Sequence, residues 1–253
     1  MPILRALKNN LDSGWPKLPK SRQSPAPFDD APQVVPENVE YRIECVFEFL
    51  NRIAARFRKT PNTQAAGPQP DPQWLIVGLG NPGEKYAQTR HNVGYWATDA
   101  MRTLEWQPVS GTKALVVRKT IGEVPVALVR STTFMNNSGE AVAALARKWN
   151  IPASNIVVLH DELDIPAGTV RVKAGGNENG HNGLKSTSAE LGTRDYVRIK
   201  MGIGRPPKGE PIIDWVLGEI PHDATLVARS VEAANIVVTE GLQRAQHVIH
   251  SMR

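Results

Sequence analysis

WLIVGLGNPGEKYAQTRHNVG, residues 74–94, decides how the rest of the chain is read. Trp74 to Leu79 is a short, almost unbroken apolar run, the pattern of a strand buried on both faces. A polar loop rich in glycine and asparagine follows, and a helix is predicted near Tyr95–Leu104. Working outward, the pattern predicts strands near Ala114–Lys119 and Val124–Arg130 and a helix over Ser138–Trp149. Short strands follow at Ile156–Leu159, Thr169–Lys173 and Tyr196–Met201. A helix starts near Asn182, and one long C-terminal helix covers roughly Ala224–His250. Strands alternating with helices predict an α/β fold, a single domain with a mixed, mostly parallel twisted sheet flanked by helices. No internal repeat is apparent.

Outward in the other direction the texture changes. Residues 1–73 hold 11 of the 20 prolines. Each removes a backbone donor and fixes φ, so this extension is expected to be largely disordered. Ile43, Val46, Phe47, Leu50, Ile53, Ala54 and Phe57 recur at helical spacing and predict an amphipathic helix near 42–59. That helix docks on the main domain, or serves a membrane surface or targeting role. Arg5, Lys8, Lys17, Lys20 and Arg22 stand against one acid, Asp12. Low acidity fits an organelle transit peptide or a cytosolic tail, with a mitochondrial address slightly favoured over a cytoplasmic one. Residues 74–253 are the folded domain.

The formal charge of +5 suits an anionic partner such as RNA or a membrane surface without requiring one. A lone cysteine, Cys45, excludes an intramolecular disulfide and a cysteine-built zinc site. No apolar run approaches the roughly 18–20 residues needed to span a bilayer, so no stable membrane insertion is expected.

In open α/β sheets ligands bind beyond the carboxyl ends of the strands. Four strand exits here deliver Asn, His or Asp: Gly80-Asn81-Pro82-Gly83 with Thr89-Arg90-His91-Asn92; Thr133-Phe134-Met135-Asn136-Asn137; His160-Asp161-Glu162-Leu163-Asp164; and Gly175 to Gly183. Each alone reads equally as turn chemistry. Gly78, Gly80 and Gly83 match the spacing of a dinucleotide fingerprint, but a polar stretch follows where an apolar helix face should, so dinucleotide binding is not expected. His91 can take a proton from water near neutral pH. A carboxylate such as Asp161 would fix its tautomer and stabilise the imidazolium. A surface histidine in a polar loop is the blander alternative. His160, Asp161, Glu162 and Asp164 could form a metal cluster, but adjacent strand residues point to opposite faces. Asn81, Asn136 and Asn182 could hold peptide or ribose, or donate to a developing oxyanion.

Taken together, VGLGNPGEKYAQTRHNVG, TTFMNNSGEAV, HDELDIPAGTVRVKAGG, GHNGLKS and RIKMGIGRP resemble, in order, the bacterial-type peptidyl-tRNA hydrolase family over nearly all of 74–253. The resemblance implies hydrolysis of the ester between peptide and tRNA, with preference for a peptide over a bare amino acid. It makes His91 the catalytic base and Asp161 its partner. Asn81, Asn136 and Asn182 would line the cleft, near Tyr86, Met135 and His181. It also implies a monomer using no metal and no organic cofactor. Arg171 with Lys173, and Arg198 with Lys200, alternate on two strands, and the resemblance favours tRNA phosphate contact over a merely solvated face. One departure stands out: the loop after Lys173 reads GGNENG, where the family is richer in small residues, which puts that loop's mobility in question. Two rivals remain open: a non-catalytic RNA-binding relative, and a nucleotide-dependent oxidoreductase resting only on the glycine spacing.

Overall fold

The computed structural model describes residues 70–252. The helix expected near 42–59 and all but the last residues of the extension lie outside the described residues. The chain runs β1 (Trp74–Gly78), α1 (Val93–Met101), β2 (Gln107–Pro108), β3 (Ala114–Ile121), β4 (Val124–Ser131), α2 (Ser138–Lys148) and β5 (Ile156–Glu162). It continues through β6 (Val170–Ala174), α3 (Asn182–Leu191), β7 (Val197–Gly202), α4 (Ile212–Leu217), α5 (Ala224–Glu240) and α6 (Leu242–Ser251). Short 3₁₀ turns at Arg90–Asn92 and Met135–Asn137 precede α1 and α2.

The strands form one seven-stranded sheet in the order β2-β3-β4-β1-β5-β7-β6. β1 lies at its centre, parallel to β4 and β5, and β5 is parallel to β7. The outer pairs β2–β3, β3–β4 and β6–β7 are antiparallel. The expected mixed α/β sheet is what is found. Alternate residues of β1 feed two cores. Ile76 packs with Val93, Leu159, Ala233 and Val237 on one face. Leu75 and Val77 pack with Ala141, Leu145, Val158 and Leu184 on the other. Full burial of each large aliphatic side chain contributes about 1.5–3 kcal/mol, so both layers anchor the central strand.

The glycines of residues 78–94 have a packing role. A Cβ on Gly78 would lie 2.3 Å from the Gly94 carbonyl oxygen, and one on Gly94 would lie 2.4 Å from that of Leu159. A Cβ on Gly80 would strike the Tyr95 ring at 2.7 Å. Gly83 alone has a positive φ, at 102°. The fingerprint-like spacing thus lets α1 sit almost in backbone contact with β1 and β5.

β2 and α4 were not expected from the sequence, and two expected elements differ from expectation. The long C-terminal helix is divided at Gly241 (φ 87°, ψ 170°), and α6 leaves α5 to pack on β6. There Val172 on the sheet edge donates its N–H to His250 Nε2, and its carbonyl accepts from Gln246 Nε2. Side chains of α6 so replace a missing neighbour strand. β5 also extends past Leu159, because His160, Asp161 and Glu162 pair with Lys200, Met201 and Gly202 of β7. Those polar residues are buried strand residues, not an exit loop. Among the described residues, no helix is long and apolar enough to cross a membrane.

Candidate active site

Asp161, at the carboxyl end of β5, is almost fully buried and accepts two imidazoles on one oxygen. His91 Nδ1 lies 2.8 Å from Asp161 Oδ1 and His181 Nε2 lies 3.0 Å from the same atom. A buried carboxylate needs such compensation to remain ionised. Burial pushes the Asp161 carboxyl up, but the two imidazoles outweigh it and hold it well below the usual carboxylate range. Burial by itself would lower His91; the charge of Asp161 and its hydrogen bond reverse that and raise it above 6.5.

The hydrogen bonds assign both tautomers. His181 is the N-cap of α3, and its Nδ1 accepts from the N–H groups of Gly183 and Leu184 at 3.1 and 3.3 Å. That nitrogen carries no proton, so Nε2 does and donates it to Asp161. His91 donates Nδ1–H to Asp161, which leaves His91 Nε2 with a lone pair and no hydrogen-bond partner among the described residues. The His91 side chain is 12% exposed, so the ring is not sealed from solvent.

Asn81 is buried and pinned three ways. Its Oδ1 accepts from the N–H of Met135 at 2.8 Å. Its backbone N–H donates to Asn92 Oδ1 and its carbonyl accepts from Asn92 Nδ2, both at 2.9 Å. The side-chain Nδ2 of Asn81 is left as an uncommitted donor among the described residues. Asn92, next to His91, thereby ties the first loop to the 90–92 turn. Met135 is buried behind this network, its Sδ filling the space that a side chain on Gly183 would occupy. Gly139 approaches α3 so closely that a Cβ would lie 2.1 Å from the Ser186 carbonyl oxygen. That contact joins the turn carrying Asn136 to the helix carrying Asn182. Asn136 and Asn182 are both exposed. Tyr86 is half-buried and meets Phe134 edge to face, with centroids 6.2 Å apart, and Phe134 is 55% exposed.

His91, Asp161, His181, Asn81 and Met135 are thus brought together by direct contacts or one shared loop. Phe134 and Asn92 were missed by sequence reasoning. An exposed aromatic in a polar strand exit was the available signal for Phe134. A reciprocal amide pair such as Asn81–Asn92 leaves no sequence signature.

The basic residues divide. Arg171 pairs with Lys200 and Lys173 with Arg198 across β6 and β7, so all four share one sheet face. Lys173 is exposed and Arg171 half-buried. Arg198 must be corrected: it is fully buried and donates Nη1 and Nη2 to the carbonyls of Asn177 and Gly176 at 2.7 and 2.8 Å. β7 is an interior strand, and the 175–180 loop folds over this face, so the guanidinium holds the loop and does not face an RNA phosphate. Lys200 is paired with buried Glu162 at 2.7 Å, and Asn179 of the loop donates to the same carboxylate. Glu178 of the loop pairs with Arg194.

The ligand atoms of His91, Asp161 and His181 lie within 4.8 Å of one another, a spacing that could hold a metal ion. This cluster differs from the His160-Asp161-Glu162-Asp164 run considered from sequence. Its hydrogen bonding fits a metal poorly: with His181 Nδ1 engaged by backbone N–H groups, ligation through Nε2 would remove that ring's only proton. His160 stands apart. It is fully buried, donates Nδ1–H to the Asp161 carbonyl, and burial pushes its pKa down to about 3.

Residues 75–253 match the model of the family described as peptidyl-tRNA hydrolase. A protein named peptidyl-tRNA hydrolase 2 from Corynebacterium glutamicum is 50% identical over 207 residues, covering 80% of this chain and 97% of that protein. A peptidyl-tRNA hydrolase from Mycobacteroides abscessus is 43% identical over 187 residues, covering 70% of this chain and 94% of its own. The crystal structure of peptidyl-tRNA hydrolase from Acinetobacter baumannii superposes with a TM-score of 0.65 at 30% identity, covering 73% of this chain and 98% of that one. These relatives are bacterial and lend no support to a mitochondrial address.

Proposed function

This chain belongs to the peptidyl-tRNA hydrolase family of hydrolases, and from that membership we propose that it cleaves the ester joining a peptide to the 3′ end of tRNA through water activated by His91. The observation that carries the proposal is the single Asp161 oxygen shared by His91 Nδ1 and His181 Nε2. It leaves His91 Nε2 as the base. Nε2 takes a proton from water while the water oxygen bonds to the ester carbonyl carbon. The carbonyl π pair moves to oxygen, and Asn81 Nδ2, with Asn136 and Asn182, donates to that oxyanion. Collapse breaks the bond to the ribose oxygen, which takes the proton back from His91. Asp161 stays ionised throughout and stabilises the imidazolium.

Tyr86 and Phe134 offer an aromatic ledge to the peptide, and Met135 shapes the floor. Lys173 and Arg171 supply phosphate contacts, with Lys200 contributing only if it leaves Glu162. The proposed reaction uses no metal or organic cofactor and a single chain, and the bacterial relatives favour a cytoplasmic over a mitochondrial setting. The test is release from tRNA carrying an N-blocked aminoacyl group, in EDTA, compared with the unblocked aminoacyl-tRNA. Rapid release of the blocked form and slow release of the free form is expected. Tight tRNA binding with no release from either would instead establish an RNA-binding protein.

A further inference from the structure

Arg90 adjoins His91 in the catalytic turn, and its side chain points away from the reaction toward α4. Its guanidinium carbon lies 3.7 Å from the centre of the Trp215 indole, and Nη1 donates to the Trp215 carbonyl at 3.1 Å. The flanking backbone is tied to the same segment. Arg90 N–H donates to the Gly218 carbonyl, Ile220 N–H to the Gln88 carbonyl, and Thr89 bridges Glu219. A Cβ on Gly218 would lie 2.6 Å from Arg90 Nη1, so a side chain there would displace the guanidinium from this position.

The far edge of the indole is fixed to the segment that follows β7. Trp215 Nε1 donates to the Gly204 carbonyl at 2.9 Å, and the preceding Ile203 N–H donates to the carbonyl of Glu162, next to Asp161. One aromatic ring therefore references both partners of the His91–Asp161 pair to a common frame. A 3₁₀ turn of three residues has little rigidity of its own. We infer that Arg90 is a positioning residue for the hydrolytic reaction: stacked on Trp215, it holds the 90–92 turn so that His91 Nδ1 meets Asp161. A lysine cannot replace it, because an ammonium lacks the planar face and the fixed fork of donors.

This inference rests on His91 being the base, and the experiment separates the two. Arg90→Lys and Arg90→Met are compared with the parent and His91→Ala for kcat, KM and thermal midpoint, and the His91 imidazole is titrated by NMR. Displacing a catalytic group by about an ångström costs on the order of 10²-fold in rate. Both Arg90 variants should lose about that much in kcat with KM little changed. In both, His91 should titrate lower than in the parent, because burial remains while the Asp161 contact weakens. Loss of the arginine charge alone would move His91 upward in Arg90→Met and leave Arg90→Lys unmoved. That pattern overturns the inference, as does an unchanged titration, even with a reduced thermal midpoint. If His91→Ala retains full activity, the base assignment fails, while the titrations still decide whether Arg90 positions His91.

Discussion

His91 draws its acid–base character from burial and from Asp161, which act in opposite senses. Burial favours the neutral ring, Asp161 favours the imidazolium, and Asp161 prevails. A general base works only when neutral. Activity is therefore expected to fall as pH drops through a value above 6.5. Asp161→Asn removes the raising influence and leaves burial in place, so the acid limb should move below that of the parent. The same change spoils the tautomer, and kcat should fall by on the order of 10⁴-fold, the loss seen when a triad carboxylate is made an amide. pH–rate profiles of the two proteins check both statements; an unmoved limb would mean that another group titrates. The raised His91 value also gives stability that is present below 6.5 and lost as pH rises through the folded value. Asp161 acts in the opposite sense, since its depressed carboxyl gives stability that is lost as pH falls through the folded value. At this scale His91 and Asp161 were singled out by the family resemblance of their motifs; side-chain chemistry alone left a surface histidine as the alternative, and Asp161 proves to lie inside β5 and not in an exit loop. The burial of Arg198 was not legible. Alternation says which face a strand residue takes, but not whether a loop covers that face.

α1 is held by an absence of side chains. Gly78 and Gly94 let it settle on β1 and β5, and the His91 turn is the first thing that follows from its placement. Gly94→Ala would push a methyl into the backbone carbonyls of Leu159 and Leu79, which cannot move without breaking the sheet. The expected cost is about 1–3 kcal/mol or more. Urea denaturation measures it, and kcat should fall with it because the whole turn is displaced. A variant as stable and active as the parent would mean that α1 is not in close contact. Most strands and helices of the described domain were readable because apolar runs and helical spacing are local properties; the two-residue β2 and the six-residue α4 are too short to leave such a pattern. The division at Gly241 was less so. A single glycine within a periodic stretch reads as a tolerated defect, and the docking of α6 on β6 that rewards the break is a tertiary contact.

For the molecule as a whole, a charge of +5 was compatible with RNA but did not locate it. Burial now ranks the basic residues: Lys173 is free to meet phosphate, Lys200 is engaged by Glu162, and Arg198 is inside. Lys173→Ala should weaken tRNA binding and reduce the slope of log affinity against log salt by about 1. Arg198→Ala should leave that slope unchanged while loosening the 175–180 loop and lowering stability. Binding titrations across salt concentrations distinguish the two; a smaller slope for Arg198→Ala would return that residue to the RNA face. The mixed α/β architecture was legible from the order of elements, because a central parallel strand followed by a helix leaves few alternatives.

Water activation by His91 without a metal is the step on which the proposed function turns. Its most direct test is single-turnover release of an N-blocked aminoacyl group from tRNA, in EDTA, by the parent protein and by His91→Ala at saturating enzyme. Rapid release by the parent and a loss of several orders of magnitude in the variant, with tRNA affinity retained, is the expected result. Equal rates in the two proteins, or abolition of the parent's activity by EDTA, would contradict it.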